Sequence, residues 1–315
     1  MALRLRIGKR QEFSRFPGTT VFMKKLFCLI AFSPLLAGTV YAQLLPEAVL
    51  AFPTETTALE YDSLSTLRAL PKYQELRKQY SGEGLQRAQK DLLLLGISED
   101  QITEVVMAAG PNGLFGLLAG SFRTASATEA VKQGMTASVL ENQPVFCAQD
   151  SLCFLFPVRE GGRVLFGTST QLRAISDVMQ GRAPSVSSNA MFSDLIGRME
   201  PHAPVFGVAL GSKIGLWAGD SIPKGLAARI DLTKIFSNIE SFGYSVSLDS
   251  NAHVGLNLFC SSEESAGVLR TSLTAVSGLD RAAGVAAGAG SLPFSNMMVS
   301  STGRLVAVKV DAPIR

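Results

Sequence analysis

The chain has 315 residues, of which 47% are hydrophobic, 17% charged and 8% aromatic; this excludes a disordered chain and a collagen-like rod and leaves enough apolar material for a packed core. Its formal charge of +3 is set by the N-terminus: residues 1–42 hold seven Lys/Arg against one acid, Glu12, so residues 43–315 hold 22 basic and 25 acidic residues. With no block of like charge, the basic stripe that a phosphate backbone requires is missing, and no nucleic acid is expected as a partner.

Met23-Lys24-Lys25 precedes an apolar run from Leu26 to Leu36, and Val40-Tyr41-Ala42 places small residues ahead of a cleavage site at Gln43. That order predicts a secretory signal peptide over 1–42, with 1–22 an over-called start because translation from Met23 gives a signal of ordinary length. The apolar stretch contains Pro34 and falls short of the ~20 residues of a spanning helix, so no stable membrane span is expected after cleavage. The expected location is periplasmic or secreted.

Residues 43–57 read as a Pro-containing lead-in, and the alternation Ala58-Leu59-Glu60-Tyr61 predicts a first strand. Ser65–Leu70 predicts one helical turn, Pro71 opens a longer helix with Tyr73, Leu76 and Tyr80 on one face, and a further helix over 85–95 ends at Gly96. Ser98-Glu99-Asp100-Gln101 is a capping-box pattern. It leads into a strand over Ile102–Ala109, a turn at Pro111-Asn112-Gly113 and a strand over Leu114–Phe122. Ser126-Ala127-Thr128-Glu129 caps a helix through Lys132, with Gly134 beyond it.

Cys28 leaves with the signal. Cys147 and Cys153 lie on two apolar runs around a polar turn at Asp150, which sets the thiols opposite each other. A bridge there would add about 2 kcal/mol by loop entropy; two buried free thiols are the alternative. Cys260 is left over as a strand residue. Arg163–Gly167 predicts a strand, and Ser169 or Thr170 opens a helix that turns Leu172, Ile175, Val178 and Met179 inward and closes at Gly181. The Pro- and Ser-rich segment 182–188 is the expected linker between halves at 58–181 and 189–315.

In the second half a helix over 189–199 is expected to bury Met191, Leu195, Ile196 and Met199. Pro204–Trp217 reads as one strand or a bent pair, and Asp231 caps a helix reaching Ile239. Two strands flank Asp249-Ser250-Asn251, Ser262 caps a helix through Val276, and a hairpin around Ser301-Thr302-Gly303 ends the fold. Leu114–Lys132 and Val254–Arg270 share one grammar: apolar strand, Phe, small-residue corner, then a helix with acids in its first turn. The expected fold class is therefore α+β, with two related halves, each a mainly antiparallel sheet with helices packed on one face.

Several phrases resemble uncharacterised exported bacterial proteins of the domain-of-unknown-function class, built as tandem α+β, ferredoxin-like repeats. They are Leu67-Arg68-Ala69-Leu70-Pro71-Lys72-Tyr73-Gln74-Glu75-Leu76, Gly96-Ile97 leading to Val105-Val106-Met107-Ala108, Gly167-Thr168 leading to Ile175-Ser176-Asp177 and Gly181-Arg182, and Asn189-Ala190-Met191-Phe192 leading to Ala203-Pro204-Val205-Phe206-Gly207. These are turn, cap and core residues spanning much of 58–217, so the resemblance implies fold and export and brings no site.

Only His202 and His253 could shuttle protons near neutral pH, and no Ser, Cys or carboxylate motif accompanies either. There is no G-x-S-x-G elbow and no Cys/His set with zinc spacing. The run Gly284–Gly290 lacks the Lys-Ser/Thr of a phosphate loop and reads as a flexible Ala/Gly loop. Glu99/Asp100 and Glu263/Glu264 sit at helix starts, where the dipole accounts for them. Asp249-Ser250-Asn251 is shorter than a calcium loop. No catalytic, metal or cofactor-binding residue is assigned and no cofactor is expected. Leu114, Phe115, Phe206 and Trp217, on apolar strands punctuated by glycine, are the candidate lining of a groove between the halves. The expected function is that of an exported, non-catalytic protein that binds a protein partner or apolar ligand through sheet surface or inter-half seam. The alternatives are an exported hydrolase with a dispersed Ser/Asp/His site and a structural envelope protein.

Overall fold

The computed structural model describes residues 44–70, 73, 83–123, 126–148, 152–157, 162–199, 203–211, 237–248, 251–287 and 297–313. The signal segment, all but Tyr73 of the helix expected from Pro71, His202, Trp217 and the Asp231 cap lie outside the described residues.

The strands are β1 (Ala58–Ser63), β2 (Ile102–Gly110), β3 (Gly113–Gly120), β4 (Thr136–Leu140), β5 (Gln143–Cys147), β6 (Cys153–Leu155), β7 (Arg163–Gly167), β8 (Val205–Leu210), β9 (Ile239–Leu248), β10 (Asn251–Cys260), β11 (Met297–Thr302) and β12 (Leu305–Pro313). They form one twelve-stranded sheet in the order β11-β12-β10-β9-β8-β1-β2-β3-β7-β6-β5-β4. Every named pairing is antiparallel. The helices are α1 (Leu44–Ala51), α2 (Leu64–Arg68), α3 (Glu83–Leu94), α4 (Ala127–Lys132), α5 (Ser169–Met179), α6 (Ala190–Gly197) and α7 (Glu263–Ala287). The chain is thus α+β, as its alternating patterns predict.

The strand order is a palindrome in topology. Outward from the central β1·β8 pair, one half runs β1, β2, β3 and ends in the β5-β4 hairpin, while the other runs β8, β9, β10 and ends in the β12-β11 hairpin. In each half a helix links the inner hairpin to the outer one, α4 in the first and α7 in the second. Strands β6 and β7 are the extra pair in the first half. β1 and β8 are themselves antiparallel, so the sheet is continuous across that pair.

Side chains alternate across the strands, so the sheet has two distinct faces. On the first face, Leu59, Tyr61, Val106, Phe115, Leu117, Leu165 and Phe206 meet Leu44, Ala48 and Phe52 of the N-terminal helical segment, Leu172 and Ile175 of α5, and Phe192 and Leu195 of α6. The second face carries two cores. Leu118, Phe146, Phe154 and Val164 meet Leu92 of α3 and Ala130 of α4. In the other half Phe242, Tyr244, Val254, Leu258 and Val306 meet Ala266 and Leu269 of α7. Among the described residues, helices therefore cover both faces of the first half, while α7 and Leu67 of α2 pack one face of the second and the α6 segment reaches β8 and β9 on the other.

Local chemistry explains the element ends. Ser126 caps α4 and Thr168 caps α5, each in a reciprocal capping box with the Glu or Gln three residues on. The Glu141-Asn142 turn between β4 and β5 places two consecutive residues at φ 50° and 62°, the backbone of a two-residue hairpin.

Several expectations are corrected. The 43–57 lead-in contains α1, whose Leu44 and Ala48 are fully buried along with Phe52 just beyond it. Segment 182–188 is held to that helical segment: Val186 N–H donates to Phe52 O, and Ser185 bridges to Pro53. Met179 and Met191, expected in the core, are 44% and 47% exposed because Val178 and Phe192 take the inward positions beside them. Ile239 opens β9 rather than closing a helix. Helix α7 runs eleven residues past Val276, so Gly284–Ala287 are helical rather than looped. Strand β4 occupies residues left unassigned between α4 and the cysteine hairpin.

Candidate functional site

The expected groove is closed where it is described. Leu114 and Phe115 are consecutive on β3, so they point to opposite faces; Leu114 is 37% exposed and Phe115 only 4%. Phe115 meets Phe52 edge-on with ring centroids 5.0 Å apart. Phe206 stacks on Tyr61 at 5.1 Å. Phe115 and Phe206 do share one cluster, but it is the first-face core sealed by the helices. Trp217 lies outside the described residues.

The seam is instead polar on its buried strand. Glu60 and Asp62 of β1 are 2% and 6% exposed, and both face the second side of the sheet. The Tyr244 hydroxyl of β9 donates to Glu60, reaching over the intervening strand β8. It can do so because β8 places Gly207 between them: a Cβ there would lie 2.5 Å from the Tyr244 ring. On the opposite face the Tyr61 hydroxyl donates to Glu104 at 2.6 Å. Burial first, and then the carboxylate beside each, pushes both phenols well above their ordinary value. Both hydroxyls stay protonated as donors across the neutral range; the Tyr244–Glu60 bond ties the two halves together, and the Tyr61–Glu104 bond ties β1 to β2 within the first.

Among the described residues, the first face of the second half is overlain at its inner margin, by Met199 against Gly243 and Arg198 over Phe259 at 5.4 Å, and not over β12 and β11. Cross-strand register sets Ser245, Gly255, Lys309 and Met298 in one row, Ser247, His253 and Asp311 in the next, and Asn257, Ala307 and Ser300 in a third. Met298 is 59% exposed and Ser300, Lys309 and Asp311 are exposed, while Ser245, Ser247, His253 and Asn257 are half-buried. Lys309 and Asp311 are the fixed charges of these rows.

His253 is bonded through Nδ1 to Asp311 at 2.7 Å, with side chains 40% and 50% exposed. Ser247 stands directly opposite His253 on β9. Serine, histidine and aspartate thus share a row on three adjacent strands, an arrangement no spacing rule reveals because the residues are 64 positions apart end to end. Among the described residues no walls enclose the row, as they do around a reactive constellation.

The α3 end forms a shallow depression of about 230 Å³ lined by Gln89, Leu92, Leu93, Ile97, Glu99 and Ile102. The Glu99 carboxylate there accepts from Tyr73 at 2.8 Å and from Gln89 at 3.4 Å. Among the described residues no three His, Cys, Asp or Glu side chains cluster to hold a metal ion. No helix among them is long and apolar enough to cross a membrane. Cys147 and Cys153 are directly opposed on β5 and β6 and form a disulfide, with Cα atoms 4.0 Å apart. Cys260 is a buried free thiol whose pKa burial raises.

No protein-family model matches the chain, and no curated protein matches it. Solved structures of TP0453 from Treponema are similar in outline. Crystal form III is 12% identical, with a TM-score of 0.49, covering 84% of this chain and 94% of that one. Crystal form IV is 11% identical, with a TM-score of 0.46, covering 84% and 92%.

The sequence contained no local mark of the Glu60–Tyr244 bond, which joins residues 184 positions apart. A signal was present for β4: the run Thr136-Ala137-Ser138-Val139-Leu140 is followed by Glu141-Asn142, and Asn accepts the left-handed turn conformation.

Proposed function

We propose that this chain is an exported, non-catalytic protein that binds a protein partner through the first face of β9, β10, β12 and β11. The observation that carries it is the row of polar and small residues on that face, Ser245, Ser247, Asn257, Ser300 and Ala307 with the His253–Asp311 pair, which no described helix overlies at β12 and β11, opposite a face packed by α7 and by Leu67 of α2. Between the two routes open from sequence, sheet surface and seam, the packing of Phe115 and Phe206 favours the sheet surface. Export, to the periplasm or beyond, is supported by the basic, apolar and small-residue order of 1–42 and by a disulfide, which persists in oxidising compartments. The palindromic strand order supports descent of the halves from one duplicated α+β unit, as the tandem-repeat resemblance implies.

The test is a pair of substitutions, Met298→Arg and Asn257→Arg, which add bulk and charge to the face at positions outside the hydrophobic cores. The double variant should keep its thermal midpoint and lose the complex recovered from envelope extract, while Val268→Arg on α7 keeps it. Retention of the complex by the double variant would refute the assignment. A second reading, an exported hydrolase, has one specific observation in its favour, the Ser247–His253–Asp311 row. It predicts ester hydrolysis or fluorophosphonate labelling that Ser247→Ala abolishes.

A further inference from the structure

Strand β4 ends the sheet, and its register fixes which of its backbone groups face outward. Leu140 and Gln143 flank the two-residue turn and exchange ladder bonds, so pairing alternates from there. Val139 is opposite Pro144, which has no N–H, and the Pro144 carbonyl accepts from Phe156 on the other side. The N–H and C=O groups of Val139, and by alternation those of Ala137, therefore point away from β5 into the open edge. Among the described residues no backbone bond reaches them.

Natural edges are blunted with charge, proline or a bulge. This one, Thr136-Ala137-Ser138-Val139-Leu140, carries none of the three. Val139 is 71% exposed, and Val131 of α4, which packs against β4, is 54% exposed. The edge is also held in shape: Arg182 bridges Glu141 at 3.0 Å and Asp177 at 2.6 Å, tying the β4-β5 turn to the end of α5.

We infer that β4 pairs antiparallel with β4 of a second copy of this chain about a two-fold at Ser138. That register pairs both outward residues of each copy within the strand. Ala137 and Val139 of one copy face Val139 and Ala137 of the other, so each outward pair exchanges both of its bonds and four backbone hydrogen bonds form. Ser138 meets its own counterpart at the centre as a non-hydrogen-bonded pair. No charges oppose each other along the strand, and Val131 and Val139 of both copies flank the joint on the α4 side. The joint repeats between molecules what β1·β8 does within one. A five-residue strand buries less than the roughly 800 Å² per partner of a standard interface, so the dimer is reversible and concentration-dependent. This inference is independent of the first face of β9–β12.

Sedimentation of the full chain tests it, over a concentration series on either side of the dimer midpoint. Val139→Pro removes an outward donor without removing a bond to β5, and Val139→Lys adds charge to the edge with the backbone intact. Both should weaken association at least tenfold with unchanged thermal midpoints. Ser138→Cys should give a disulfide-linked dimer on mild oxidation, and Val268→Cys on α7 should not. A monomer at every concentration, a dimer untouched by both Val139 variants, or equal cross-linking from both cysteines would overturn the assignment.

Discussion

Gly207→Ala isolates the bond between the halves. The added methyl would lie 2.5 Å, 2.6 Å and 2.7 Å from Cε1, Cζ and the hydroxyl oxygen of Tyr244. Tyr244 is 3% exposed, so its ring cannot swing into solvent and must be displaced within the core. Overpacking of this kind costs about 1–3 kcal/mol. Displacing the ring also removes the Tyr244 hydroxyl from Glu60, a hydrogen bond to a buried carboxylate worth about 1.5–3 kcal/mol. The sum is about 2.5–6 kcal/mol, measured as a loss of urea unfolding free energy at constant m-value. Gly207 is not among the residues with positive φ, so none of this is backbone strain. In a Tyr244→Leu background the obstruction is gone, and the same Gly207→Ala change should then cost less than about 1 kcal/mol. Equal cost in both backgrounds, or a single variant within about 0.5 kcal/mol of the parent, would refute the reasoning.

Phe52→Ala should destabilise by about 3–5 kcal/mol in the same assay, since Phe52 is fully buried against Phe115; a surface-like effect would show that α1 is not part of the core. Replacing Cys147 and Cys153 together by alanine should lower stability by about 2 kcal/mol, the loop-entropy value for so short a ring, as read by the shift in urea midpoint. Tyr61 and Tyr244 have folded pKa values raised above the ordinary 10.0. Their contribution is therefore fully present below about pH 10, where the unfolded chain also holds both protons, and is lost as pH rises beyond it. Unfolding free energy should fall by about 1.4 kcal/mol per pH unit for each phenol above that point, and Tyr61→Phe should halve the slope.

The legible parts of this fold were those written in local chemistry. Gly96, Gly134, Gly181 and Gly303 adopt the positive φ that ends a helix or turns a hairpin. Ser98 and Ser126 make the boxes that their spacing to Gln101 and Glu129 predicts, whereas the cap of α5 is Thr168, ahead of the expected Ser169 or Thr170. The antiparallel α+β class followed from these. Helix α1 was obscured because Pro46 lies within it and its eight residues are too few for periodicity to show. Met191 and Phe192 are adjacent apolar residues, and only the packing of α6 decides which turns inward. The seam was invisible for a different reason: β1 and β8 are brought together by two whole halves, and no window of sequence contains both. The Ser247–His253–Asp311 row and the face that holds it arise in the same way, from registers between three and four strands.

The central claim is that the second half of the sheet presents one face to a partner. Site-specific photo-cross-linking in intact cells tests it most directly, with the cross-linker at Asn257 in the middle of that face and, separately, at Val268 on the exposed side of α7, which is 59% exposed. A discrete adduct from position 257 and none from 268 is the predicted result. An adduct from 268 alone, or from neither position, would contradict the account.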